Sequence, residues 1–254
     1  MRVLACVKRV PAPGARITIT PDGMAVDTAF LGFAMSPHEE CAVEAAVRLV
    51  EQLGGTSTVL TLGPMAAEEQ VRYAASLGVK AAVVIPIEGL DWDPQRTASA
   101  LTEEIRALEA RDGLFDLILF GNESADSGNF QVGIRVAYAL DRAMVNGAKG
   151  LDVADGVATV RRETDEGMEV YSLTLPAVVG VKEGINLPRY PTLQGRLASK
   201  KVAVESHASN AVPGALQTIR LETPPEQASS TIILGHGVEG ASAVVDLLDE
   251  LGVL

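Results

Sequence analysis

Over its first 140 residues the chain repeats one pattern: a short apolar run, a loop, then an amphipathic stretch of helical length. The apolar runs fall at residues 3–7, 57–62, 81–85 and 117–120, and the helical stretches between and after them at 36–53, 66–77, 94–111 and 130–140. Strands alternating with helices in this way predict right-handed crossovers and a mainly parallel sheet with helices on both faces, an α/β doubly wound fold. Ligands on such sheets sit beyond the carboxyl ends of the strands, so the loops after Val7, Leu62, Ile85 and Phe120 are where function is expected.

Punctuation supports the pattern. Ser36-Pro37-His38-Glu39 opens the first helix as a capping box with proline at its first position, and Gly54-Gly55 stops it. Residues 17–20 alternate and run into Pro21-Asp22-Gly23, which predicts a hairpin through 24–26. After Asn146 the pattern changes to strands without helices, at 157–162, 170–175 and 177–181, with a turn over Thr164-Asp165-Glu166-Gly167. Residues 184–201, with Pro188, Pro191 and Gly195, have no clean period and are expected to form a long surface loop. From 206 to 230 the chain is rich in Pro, Ser, Thr and Ala, and a strand at 231–234 and a helix at 241–251 are expected to follow. The predicted division is an α/β domain over 1–205 and a C-terminal arm over 206–254 that needs a partner to grip.

Composition bounds the function. Of 254 residues 47% are hydrophobic and 4% aromatic, the texture of short buried strands among alanine-rich helices. Lys and Arg number 21 against 33 Asp and Glu, and the net charge of −12 opposes a nucleic-acid or anionic-membrane partner. No stretch approaches the roughly 18 apolar residues of a membrane span, so no integral membrane segment is expected, and the N-terminal apolar run is too short for a signal peptide. The two cysteines, Cys6 and Cys41, have no CxxC spacing; a reducing compartment is expected, bacterial cytoplasm or a mitochondrial matrix.

The loop from Gly121 to Asn129 lies between a buried strand and a helix, so free backbone N–H groups and the positive helix end face it. This suits an anion or a phosphate, and it also suits ordinary strand-to-helix punctuation. Gly235-His-Gly-Val-Glu-Gly240 has the form GxGxxG, but the chain ends 14 residues later, leaving no second strand and no acid to hold a ribose, so it reads as a turn. His38, His207 and His236 lack companions at ligand spacing, and no metal is predicted. There is no GxSxG, HExxH or P-loop, and Asp165, Glu166 and Glu169 read as solvated acids of a hairpin turn. No residue is expected to be catalytic.

Several segments together resemble the electron-transfer flavoprotein beta subunit family, including its nitrogen-fixation-associated relatives. The most specific runs from Val160-Arg161-Arg162 through Asp165-Glu166-Gly167 and Glu169 to Pro176-Ala177-Val178-Val179. Also similar are Val7-Lys8-Arg9-Val10, Met35-Ser36-Pro37 with Ala42-Val43-Glu44-Ala45, Gly63-Pro64, the loop from Gly121 to Gly133, Asn186-Leu187-Pro188-Arg189-Tyr190 and Lys200-Lys201. The resemblance implies a Rossmann-like subunit that buries an adenine nucleotide, AMP, while a partner alpha subunit holds most of the FAD. By position the nucleotide would meet Cys6, Ser36, Pro37, His38, Glu39, Leu62, Gly121, Asn122, Glu123, Ser124, Asp126, Ser127, Gly128, Asn129, Phe130, Gln131 and Val132, with the Gln131 and Val132 amides near phosphate. It implies an electron carrier, not an enzyme, passing electrons from acyl-CoA and related dehydrogenases towards a membrane quinone reductase. The segment 184–201 would dock on the dehydrogenase through Leu193, with Arg189, Tyr190, Lys200 and Lys201 around it; the plainer alternative is that Leu193 folds back on its own loop. Two other functions stand beside this one: a flavin-bifurcating subunit with a second FAD in place of AMP, and a stand-alone adenine-nucleotide sensor or nucleotidyl-transfer enzyme.

Overall fold

The computed structural model describes all residues except 90, 91, 213, 215 and 226–230. In chain order its elements are β1 (Arg2–Val7), β2 (Val10–Pro11), β3 (Phe33–Ala34), α1 (Pro37–Leu53), β4 (Thr56–Gly63), α2 (Glu68–Leu77), β5 (Ala81–Pro86), α3 (Pro94–Asp112), β6 (Leu117–Gly121) and α4 (Val132–Ala139). These are followed by β7 (Met144–Ala154), β8 (Val157–Thr164), β9 (Gly167–Thr174), β10 (Ala177–Val181), α5 (Leu193–Ser199), β11 (Val204–Ser206) and α6 (Gly240–Glu250). The chain divides into two compact units, Met1–Arg220 and Leu221–Leu254.

In the first unit nine strands form one sheet in the order β11-β5-β4-β1-β6-β10-β7-β8-β9. Pairing is parallel from β11 to β7 and antiparallel across β7, β8 and β9. From β1 the chain winds outward through β4 to β5, then returns to lay β6 on the other side of β1. The doubly wound expectation holds, and the winding reverses between β1 and β6.

Side chains of β1 alternate between two cores, as a pleated strand requires. Val3, Ala5 and Val7 pack with Ala42, Val43 and Ala46 of α1 and Val71 and Ala74 of α2. Leu4 and Cys6 face the other way, onto Leu101 and Ile105 of α3 and Val136 and Ala137 of α4. Burying both faces explains why these strands are continuous apolar runs. The helix start at Ser36 forms as expected: its Oγ accepts the Glu39 N–H at 3.3 Å, and a Glu39 carboxylate oxygen accepts the Ser36 N–H at 3.0 Å.

Several elements differ from the sequence reading. β7 is an 11-residue strand that the period-2 pattern hides, because its register slips twice, against β10 between Val179 and Val181 and against β8 between Ala148 and Gly150. Each slip shifts the inward face, and alternation breaks there. The segment 184–201, expected to be all loop, contains α5, capped by Thr192 Oγ1 accepting the Gly195 N–H at 3.0 Å. A Cβ on Gly195 would lie 2.2 Å from the Ser76 carbonyl oxygen, so glycine lets α5 sit against the end of α2. The hairpin at 17–26 is reduced to one bridge, Ile19 to Val26. In the second unit, the strand expected at residues 231–234 does not form. Ile232, Ile233, Val245 and Leu251 are exposed there.

Candidate functional site

A cleft enclosing about 840 Å3 of empty space, part of it open to solvent, lies beyond the carboxyl ends of β1, β4 and β6. This is the point where the winding reverses, the place a doubly wound sheet leaves open because the crossovers on either side diverge. One end is apolar and aromatic, with Leu62, Ile87, Trp92 and Leu101. The other is built by Phe120, Asn122, Met144 and Asn146 with the first turn of α4. Cys6, Lys8, Glu39 and Gly121 lie along the middle.

Glu39 ties three elements together. Its Oε1 accepts the Lys8 N–H at 2.9 Å from the exit of β1, and its Oε2 accepts the Ser36 N–H. Gly121, at the end of β6, presses on the same group: a Cβ there would lie 2.7 Å from Glu39 Cγ and 3.3 Å from Glu39 N. Burial pushes the Glu39 carboxyl up to about 8 against the opposing hydrogen bonds from Ser36 and Lys8. The Cys6 thiol is likewise raised, by burial first and then by Glu39, so it is not a nucleophile.

The loop after Gly121 is braced internally. Ser124 and Ser127 hydroxyls pair at 2.8 Å, Asn129 Nδ2 donates to Ser127 Oγ at 3.0 Å, and Gly128 takes a positive φ of 61° and donates its N–H to the Ser124 carbonyl at 2.9 Å. Across the cleft Lys8 Nζ meets Asp126 at 2.6 Å. Burial raises the Asp126 carboxyl, but the Lys8 charge outweighs it and holds the group below its ordinary value.

Of the residues expected at the site, Cys6, Glu39, Leu62, Gly121, Asn122, Glu123, Ser124, Ser127, Asn129, Phe130 and Val132 line the cleft. Ser36, Pro37, His38, Asp126, Gly128 and Gln131 stand just behind it. Ser36 and Pro37 shape the start of α1. His38 Nδ1 accepts the Glu183 N–H at 2.7 Å and its Nε2 lies 3.4 Å from Glu123. Gln131 precedes α4 and accepts from Arg135 Nε at 2.8 Å. The sequence reading missed Lys8, Trp92, Met144 and Asn146 as lining residues. Lys8 was legible as the residue after a buried strand, whereas Trp92, Met144 and Asn146 reach the cleft only through the packing of α3 and β7.

On the 184–201 segment Arg189 is held by two carboxylates, Glu44 at 2.9 Å and Glu51 at 2.7 Å. Tyr190 is 90% and Leu193 75% exposed. Leu193 begins α5 pointing to solvent and does not fold back. Lys200 and Lys201 are exposed at the far end of that helix.

The architecture defines a class: a doubly wound α/β protein with a cleft at its switch point. The electron transfer flavoprotein domain matches residues 24–212. Similar proteins named electron transfer flavoprotein subunit beta include one from Bacillus subtilis, 34% identical over 84% of this chain and 85% of that one. A second, from Syntrophomonas wolfei, is 32% identical over 90% of this chain and 88% of its own. A mitochondrial form from Oryza sativa is 30% identical over 99% and 97%. The chain belongs to the electron transfer flavoprotein family, as a beta subunit. No helix among the described residues is long and apolar enough to cross a membrane.

Proposed function

We propose that this chain is the nucleotide-holding half of a flavoprotein heterodimer, with AMP in the cleft and most of the FAD on the alpha subunit. The observation that carries the reading is the cleft itself: strand ends, an apolar end for a base, and an opposite end where the first-turn N–H groups of α4 and two asparagine side chains stand. Those features fit a nucleotide, because the apolar end suits a base and the amides at the α4 end suit phosphate oxygens. The nucleotide contacts would be the cleft-lining residues named above, with Gln131 and Val132 amides at the phosphate. Bound FAD supplies the redox chemistry; this chain supplies scaffold, a nucleotide and docking surfaces, and no catalytic residue.

Two surfaces support partners. Exposed Tyr190, just before the capped α5, and Leu193 and Leu197 on it would dock on acyl-CoA and related dehydrogenases, an apolar anchor with Lys200 and Lys201 at its rim. The exposed apolar side chains of the C-terminal arm, among them Ile232, Ile233, Val245 and Leu251, would pack on the alpha subunit. Electrons would pass on to a membrane quinone reductase, in a bacterial cytoplasm or a mitochondrial matrix. The test is co-expression with an alpha subunit and quantification of flavin and AMP released on denaturation. One FAD and one AMP per heterodimer is the expected result; two FAD would indicate bifurcation, and a monomer that hydrolyses ATP would refute the carrier reading.

A further inference from the structure

We infer that Asn146, presented across Gly180 by the bulge in β7, is a phosphate-binding and specificity-determining residue, and that with Asn122 it makes the cleft selective for a nucleoside monophosphate through uncharged donors. The inference rests on the nucleotide reading above and extends it to residues outside the 121–132 loop.

The placement is built into the sheet. Met144 and Asn146, two residues apart, both line the cleft, while Val145 between them is buried in the opposite core. Directly after Asn146, Gly147 takes a positive φ of 77°, and the register against β10 slips between Val179 and Val181. The Asn146 carboxamide lies over the neighbouring strand at Gly180, where a Cβ would stand 1.6 Å from its Oδ1 and 2.7 Å from its Cγ. No other residue at 180 leaves room for the amide in this position. Asn122 Oδ1 lies close by, 3.7 Å from where a Cβ on Gly147 would be.

Neither amide is used by the fold. Among the described residues the side chains of Asn122 and Asn146 make no hydrogen bond, although Asn122 is only 9% exposed. Asn146 is partly exposed; a side chain as buried as Asn122 is ordinarily paired, so two unpaired amides side by side on a cleft point to a ligand. They stand beside the first turn of α4, whose N–H groups lack intrahelical acceptors and whose preceding residue provides no side-chain cap. A Cβ on Gly133 in that turn would lie 3.1–3.2 Å from Phe120 and Met144, so glycine lets the helix end close on the side chains that line the cleft with Asn146.

Charge then selects the ligand. Among the described lining side chains the one cation is Lys8, which is paired with Asp126, and Glu123 is an acid beside the same loop, while burial keeps Glu39 protonated. A phosphate at the α4 end is met by amide and backbone N–H donors, which suits a single phosphate. Each further phosphate adds negative charge near Glu123 and Asp126 without a new cation to answer it.

The test uses the full chain co-purified with its flavoprotein partner, stripped of nucleotide and titrated calorimetrically with AMP, ADP and adenosine. Wild type should bind AMP more tightly than ADP. Asn146→Ala should weaken AMP by about tenfold to a hundredfold, the worth of a hydrogen bond to a charged group. Asn146→Asp should weaken it further, and Gly180→Ala, by displacing the amide, should act like Asn146→Ala. Adenosine affinity should change by less than about twofold in all three, a result that also certifies that the cleft is folded. Equal losses for AMP and adenosine, or no loss for either, would overturn the assignment. Wild type binding neither ligand would overturn the nucleotide reading and this one with it.

Discussion

Replacing Glu44 by alanine should loosen the docking segment and lower stability by an amount the contacts allow one to work out. Glu44 is 1% exposed on α1 and receives Arg189 three times: from Nε at 2.9 Å, from its backbone N–H at 3.2 Å and from Nη2 at 3.2 Å. Arg48 Nε also bonds it, and Arg48 Nη2 reaches the Leu187 carbonyl at 3.0 Å. Breaking a buried ion pair costs about 3–5 kcal/mol. Here both arginines are partly solvated and Arg189 keeps Glu51, so about 2–3 kcal/mol is expected. For a unit of this size that lowers the melting temperature by roughly 5–10 °C. Burial raises the Glu44 carboxyl, but Arg189 and Arg48 outweigh it and hold it below its ordinary value. Its contribution is therefore present above pH 4.5, the ordinary carboxyl value, and is lost as pH falls further, so the two melting curves should converge in acid. Circular dichroism melts at pH 7 and pH 3, with hydrogen exchange over residues 186–192, measure this. A Glu44→Ala protein melting within about 1 °C of wild type at pH 7, with unchanged exchange, would refute the claim that this pair straps the segment to α1.

Glu39 should behave in the opposite sense. Its folded carboxyl holds its proton up to about 8 against an ordinary 4.5, so stability falls as pH rises between those values, and Glu39→Gln should flatten that slope in urea unfolding from pH 5 to 9; parallel slopes would remove Glu39 as the cause. Asp126→Asn should cost less than about 1 kcal/mol, since the Lys8 pair is partly exposed, yet release nucleotide several-fold faster in stopped-flow exchange; an unchanged rate would mean that the pair does not restrain the loop. Leu193→Ala should leave stability within about 0.5 kcal/mol while slowing reduction by an acyl-CoA dehydrogenase at least about tenfold, and wild-type kinetics would place docking elsewhere.

Much of the fold was readable because its signals are local. Buried strands read as apolar runs, the Ser36 box and the glycine stops act within a few residues, and alternation with helices leaves few topologies open. The cleft followed from strand ends alone. What escaped was non-local. β7 was hidden because its two slips answer β10 and β8, and β11 because three residues, Val204–Ser206, become a strand only beside β5. α5 was hidden because a seven-residue helix has little stability of its own and forms against α2, where Gly195 permits contact.

The same division holds for the site. By itself the amino-acid order determined the class of fold, the loop after β6 and a capped helix start beside it, since each depends on neighbours in sequence. Only the tertiary structure decided that Glu39 would be buried between Lys8 and Gly121, that Arg189 would be neutralised by Glu44 and Glu51, and that Asn146 would lie over Gly180 facing the cleft. Those outcomes depend on distances between strands and helices far apart in the chain, and burial, which only packing sets, turns ordinary polar side chains into groups with a fixed charge state and direction.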